Sequence, residues 1–303
     1  MKAAWRRYEG PTWLVAASIY GGWIALAAAH GRLPFALALS LAIYLTAWHS
    51  SLQHETIHAL RNVPRRVKTL LAIPPLGVWF PYEWYRREHL RHHATSELAA
   101  PADPESFYHD PERWARMPAP VRAVFLANQT FAGRLIVGPA VQIVRTYAAA
   151  WHRIRAGDRA VRRIWSAHLA RVAVLAGVLQ LCGIDPVWYL AFVAYPAASL
   201  GLVRSFAEHR FAASNAERTA VVESRSLLSL LFLNNNLHAV HHAFPALPWY
   251  EIPRRYRSDP RACGLATGLA PLRGYRSIVQ LWLLRPIDVP VAEAREAVRA
   301  RVR

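Results

Sequence analysis

Cysteine is nearly absent: Cys182 and Cys263 are the only two in 303 residues. They lie far apart and form no CxxC pair, which excludes a disulfide framework and a thiolate metal site and leaves both as reduced thiols. Acidic residues are also scarce. Asp and Glu number 19 against 37 Lys and Arg, so the formal charge is +18. Such an excess suits nucleic acid, an anionic lipid surface or an acidic protein partner. No zinc-finger spacing or RNA-binding aromatic signature accompanies the arginines, and a nucleic-acid module has no need of bilayer-length apolar runs. Nucleic acid is therefore set aside. Internal repeats and low-complexity tracts are missing too, and the simplest organisation is one membrane domain over residues 1–303.

Apolar sequence is plentiful, at 54% of the residues, and it is segregated from the basic stretches. Four runs are long enough to span a bilayer, at about residues 12–29, 33–51, 168–184 and 186–203. The first follows Lys2, Arg6 and Arg7 and ends in Ala27, Ala28 and Ala29, which also fits a signal peptide. A retained helix is preferred, because the run exceeds a signal core and a second run begins almost at once. The loops at 29–33 and around Asp185 hold only Arg32 among the basic residues. By the positive-inside rule these loops are external and both termini cytoplasmic.

The expected fold is all-α and integral to the membrane: four transmembrane helices in two hairpins, with a cytoplasmic helical cap from residues 52–167 and 204–303. Pro74, Pro75 and Pro81 interrupt the apolar piece 70–80, which is too short to span and is expected to dip into the interface. Residues 136–151 carry Gln142 and Arg145 among apolar residues and read as an interfacial amphipathic helix. The stretch 99–120, rich in Pro, Asp and Glu, reads as a loop.

The 14 histidines are not scattered. Eight fall in three clusters: His54 and His58 in HETIH, His89, His92 and His93 in HLRHH, and His238, His241 and His242 in HAVHH. Residues three and four apart share a helix face, so each cluster aims its imidazoles one way. Imidazole suits iron, copper, zinc and nickel, and eight ligands exceed the four of an ordinary zinc site, so two metals are implied. The predicted topology puts all three clusters on one side. His49 and His54 give an alternative HxxxxH spacing, but five residues rotate the second ring away; His49 is then a buried polar residue or a group behind the ligands. His30, His109, His152 and His168 have no cluster partner and read as structural or surface residues. Metal-bound imidazoles use their other nitrogen on a carboxylate or carbonyl, which makes Glu55, Asp103, Glu105 and Glu208 candidates for that supporting role.

With HxxxH, HxxHH and a later HxxHH in this order, and two spans between the second and third, the sequence resembles the membrane fatty acid desaturase family over residues 49–256. The resemblance implies a four-helix membrane stem with a cytoplasmic cap, a non-haem di-iron centre, O2 as co-substrate and a membrane lipid or acyl substrate. It adds His209, in SFAEHR, as a ninth ligand, although Ser205 stands where some relatives have Asn. Asn234, one turn before His238 in NNNLH, is a further supporting candidate. No HPGG haem segment occurs, so electrons must come from a separate donor, a ferredoxin or a haem protein with its reductase. Localisation in a bacterial inner membrane follows, as does introduction of a double bond into an acyl chain.

Other readings remain beside it. A lipid hydroxylase or carotenoid ketolase shares the same boxes. HETIH also satisfies HExxH, the zinc metalloprotease motif, but that uses one cluster and leaves two idle. A membrane metal transporter would carry polar residues at mid-span, and the four runs carry almost none.

Overall fold

The structure is a computed structural model that describes residues 2–95, 103–209, 219–260 and 271–291. Cys263 and Arg210 of the SFAEHR segment lie outside the described residues. In chain order the helices are α1 (Lys2–Arg7), α2 (Gly10–Ala28), α3 (Phe35–His58), α4 (Arg65–Ala72), α5 (Tyr82–Ala94), α6 (Pro111–Arg116), α7 (Ala119–Ala127) and α8 (Phe131–Ile136). They continue with α9 (Gly138–Arg155), α10 (Arg159–Leu181), α11 (Pro186–Tyr189), a π-helical turn at Leu190–Ala194, and α12 (Tyr195–Glu208). The last four are α13 (Leu227–Leu231), α14 (His238–Ala243), α15 (Ile252–Ser258) and α16 (Gly274–Trp282). Among the described residues only isolated bridges occur, such as His209 with Thr219 and Val222 with Leu272, so their regular structure is helical. It divides into two compact units, Met1–Arg86 with Pro139–Gly201 and Arg87–Gly138 with Leu202–Arg303.

Among the described residues, four helices are long and apolar enough to cross a membrane: Gly10–Ala28, Phe35–His58, Arg159–Leu181 and the continuous Pro186–Glu208. A 24-residue helix is about 36 Å long, against about 30 Å of bilayer hydrocarbon. Only 17% of the most apolar window of α10 is buried within the protein. The rest of that face is suited to hydrocarbon rather than water.

The helices outrun the apolar runs that announced them. Hydropathy marks where a run becomes apolar, whereas caps decide where a helix ends. α10 starts at Arg159 rather than 168 because Asp158 accepts hydrogen bonds from the amides of Ala160 and Val161. α3 continues past Ser51 through HETIH to His58. Gly183, at φ 76°, terminates α10, and the Ile184 amide donates back to the Leu179 carbonyl.

In the first unit α2 packs on α3, and α3 packs on the π turn and on α4. Ala42, Leu179, Tyr189, Val193 and Ala194 form one core, flanked by Trp23 and Trp188. Residues 73–80 are non-helical, as the prolines dictate, and are pinned to the spans. The Tyr189 hydroxyl donates to the Leu76 carbonyl at 2.7 Å, and His168 Nε2 donates to the Val78 carbonyl at 2.6 Å. Arg171 of α10 pairs with Glu83 through two nitrogens, at 2.6 and 3.1 Å.

In the second unit the expected loop 99–120 proves partly helical, since it contains α6 and the start of α7. Asp110-Pro111-Glu112 combines an N-cap, proline at the first helical position and an acid in the first turn, and Asp110 accepts the Glu112 and Arg113 amides. Compositional reading registers Pro and Asp there as loop formers and misses that together they start a helix. Residues 103–110 are tied down at one end, where Tyr108 donates to Asp288 at 2.9 Å and the His109 amide to the Pro290 carbonyl. Val221, Leu237, Ala239, Val240 and Ile252 form the core beneath α14 and α15.

Candidate metal centre

α5 carries His89, His92 and His93, and α14 carries His238, His241 and His242, each set at i, i+3 and i+4. One helix face therefore presents each set. His209 follows directly on α12 and is fixed by its bridge to Thr219 and by the Ala220 amide donating to the Glu208 carbonyl.

Within the second unit these seven rings form two groups. His92, His209, His238 and His242 bring their ligating nitrogens within 4.8 Å of one another. Nε2 of His238 lies 2.9 Å from that of His209 and 3.1 Å from that of His242, which is 3.3 Å from that of His92. In the other group, Nε2 of His93 lies 3.2 Å from that of His89 and 3.1 Å from that of His241. The groups adjoin, since the His93 and His242 rings stack with centroids 4.5 Å apart. Nitrogens bound to one ion at 2.0–2.1 Å in a tetrahedron stand about 3.4 Å apart. The observed separations are of that order.

The other face of several rings is held by oxygen. Asp103 accepts from His92 Nδ1 at 2.9 and 3.0 Å, and Glu105 accepts from His89 Nδ1 at 2.8 Å. A proton on Nδ1 leaves the Nε2 lone pair facing the group, as a metal ligand requires. His238 Nδ1 lies 3.2 Å from Asn235 Oδ1 and 3.4 Å from the Glu208 carboxylate. Arg204 Nε in turn lies 3.0 Å from Glu208.

At three of the four rings in the first group, electrostatics favour the neutral, ligating form. Burial, reinforced by neighbouring histidines, holds His209, His238 and His242 well below the usual histidine value. Burial also opposes charge on His92, but its hydrogen bond to Asp103 and the surrounding carboxylates outweigh it and raise its pKa. Burial would raise Glu105 as well; the charges of His89, His92 and Arg204 win, and its carboxyl is lowered.

In the first unit, His54 and His58 share one face of α3 with ring centroids 5.2 Å apart. His49 is buried and turned elsewhere, its Nε2 3.0 Å from the Tyr20 hydroxyl. Glu55 is buried on α3. The histidines outside the clusters have other surroundings. His30 and His152 are exposed, His109 packs against Trp114 and Phe125, and His168 binds the Val78 carbonyl.

Asn234 does not support His238; its amide nitrogen donates to the Trp249 carbonyl at 3.1 Å. The expectation assumed helix before His238, whereas residues 232–237 form turns, with Leu233 and Asn234 both at positive φ. Asn235 takes the place beside His238 Nδ1 instead. Nothing in the NNN run singles it out, because the choice depends on the turn. Arg204 was equally hidden, although its i, i+4 spacing to Glu208 is a readable signal.

The donor set is imidazole backed by carboxylate, in two adjoining groups, which fits two borderline metal ions such as iron. A model described as fatty acid desaturase matches residues 30–269. The chain belongs to the fatty acid desaturase family. None of the curated proteins matches it. The desaturase match contains α3, α5, α12 and α14, and with them all nine clustered or box histidines, Asp103, Glu105 and Glu208. As a desaturase-family protein it falls among membrane oxidoreductases known for di-iron chemistry, and its histidine groups could hold such ions.

Proposed function

We propose that this chain is an O2-dependent di-iron desaturase that introduces a double bond into a lipid acyl chain. The observation carrying this reading is the pair of adjoining imidazole groups, each with Nε2 atoms about one ligand–ligand distance apart. His92, His209, His238 and His242 hold one iron. His89, His93 and His241 would hold the other, and the HETIH motif adds His54 and His58 to the proposed ligands on sequence grounds. Iron, when bound, supplies the O2 reduction and C–H cleavage that no amino-acid side chain provides.

The protein's own part is positioning and exclusion of water. Asp103 and Glu105 keep His92 and His89 protonated on Nδ1 and so aim Nε2 at the metals. Asn235 and Glu208 do the same for His238, with Arg204 fixing Glu208. His89, His92, His238 and His241 are each no more than 2% exposed, so bulk water has little access to that side of the site. The reaction balances as a CH2–CH2 unit, O2, two electrons and two protons giving CH=CH and two waters.

The four spans form two hairpins, both termini are cytoplasmic, and the histidines face the cytoplasm, where a ferredoxin or reductase-linked haem protein delivers the electrons. A basic cytoplasmic face favours an acidic donor. Turnover of a lipid extract under oxygen-18 tests the reaction. The expected product is unlabelled and two mass units lighter than its substrate; label in the dominant product assigns a hydroxylase or ketolase instead.

A further inference from the structure

Asp103 and Glu105 each orient one ring of the histidine groups, and both sit on a strap, residues 103–110, that belongs to no helix. Asp103 Oδ1 accepts from His92 Nδ1 and also from the Glu105 amide, at 2.9 Å in both cases, while Glu105 accepts from His89 Nδ1 at 2.8 Å. His92 belongs to one group and His89 to the other. One short piece of chain therefore serves both groups, and whatever fixes the strap fixes both carboxylates.

Outside any helix or sheet, the strap depends on individual bonds for its place. Its far end meets the sequence PIDVP, residues 286–290. Proline breaks a helix and pushes the residue before it into extended backbone, so Pro286 and Pro290 keep this piece from coiling after α16. Pro290 has no N–H to donate but retains its carbonyl, which accepts the His109 amide at 2.9 Å. Asp288 accepts from the hydroxyl of Tyr108, a buried residue, at 2.9 Å, and so joins positions 180 residues apart. The piece is itself secured, since the Ile287 amide donates to the Gln129 carbonyl at 2.8 Å. Phe107, on the same strap, carries the Arg134 guanidinium 3.9 Å from its ring centroid.

We infer that Tyr108 and Asp288 are positioning residues for the metal centre. Their hydrogen bond clasps the strap to residues 287–291 and so sets where the Asp103 and Glu105 carboxylates meet His92 and His89. They act through the strap, Tyr108 lying three residues beyond Glu105. A change at His92 strikes one group and a change at His89 the other, whereas loosening the clasp weakens both together. The inference rests on the two-metal reading of the histidine groups and is independent of the reaction performed there.

The test is cobalt(II) titration of the full chain in detergent against a competing chelator, with the ligand-field absorption bands recorded at each step. Tyr108→Phe and Asp288→Ala each remove one hydrogen bond, which corresponds to roughly a 3- to 10-fold loss of affinity. Both binding steps should weaken by that factor, the bands should shift, and hydrogen exchange at residues 103–109 should quicken. The double variant should bind no more weakly than either single one, because the two changes remove the same contact. Asp288→Asn keeps an acceptor oxygen and should bind cobalt as the unaltered protein does. Tyr189→Phe removes the hydroxyl that donates to the Leu76 carbonyl in the first unit and should leave affinity and bands alone. A lower melting temperature with unchanged affinity and bands in both Tyr108→Phe and Asp288→Ala would make the contact merely structural and overturn the inference. So would a loss confined to one binding step. No cobalt uptake by the unaltered protein would overturn the two-metal reading and the inference with it, whereas two ions bound equally by the unaltered protein and the variants would strike the inference alone.

Discussion

His92 Nδ1 lies 2.9 Å from an Asp103 oxygen, and both side chains are at most 2% exposed. A buried carboxylate in this position fixes the ring's tautomer and orientation at once. Asp103→Asn keeps the shape and removes the charge. Metal affinity should fall about 10- to 100-fold, as measured by iron titration against a competing chelator. An unchanged affinity would assign Asp103 a purely structural role.

Ligand and bystander histidines should separate by metal content. Two irons per chain are expected in the unaltered protein. His58→Ala, His93→Ala, His209→Ala and His242→Ala should each lower iron content and abolish turnover, whereas His30→Ala and His152→Ala should do neither. Elemental analysis of purified protein decides, and full iron in the His93 and His242 variants would remove the basis of the assignment.

The metal-free protein should lose stability as the pH falls through about 6.5. Burial keeps His209, His238 and His242 well below the usual histidine value, so below about pH 6.5 the unfolded chain binds more protons than the folded one. Protons then favour unfolding. His92, whose pKa is raised, acts in the opposite sense, losing its stabilising contribution as the pH rises, but it is one group against three. Denaturant midpoints of iron-free protein in detergent from pH 8 to pH 5 should therefore decline below about 6.5. A flat or rising trend contradicts the assignment of neutral buried rings.

Reporter fusions test the topology. Fusions after Pro34 and at Asp185 should report the outer side, and those after Val63, Asp158 and Ser258 the inner side. An external signal at Val63 or Ser258 would part the histidines from a cytoplasmic electron supply.

Much of this was legible in the sequence because it depends on periodicity. The four apolar runs foretold four span-length helices, and the i, i+3, i+4 spacing in HLRHH and HAVHH foretold which rings would share a face. Helix ends were less legible, since Asp158 and Asp110 act through single cap hydrogen bonds that leave no trace in hydropathy. Least legible was the support behind the ligands. Charge and nearness to the histidine boxes point to Asp103 and Glu105, whereas Asn235 rather than Asn234 serves His238 because of a backbone turn at positive φ. Such choices depend on local dihedral angles that composition does not encode.

His92 and His242, whose Nε2 atoms lie 3.3 Å apart, are separated by 150 residues of chain. At a synthesis rate of about 5–20 residues per second, roughly 8–30 s pass between their emergence from the ribosome. During that interval the α5 histidines exist without their α14 counterparts, and between the two the ribosome must deliver α10 and the 186–208 helix. Any metal that His92, His209, His238 and His242 hold together can therefore be loaded only late in the protein's biogenesis. A chain stalled before residue 238 would carry only a fragment of the site, open to the wrong metal.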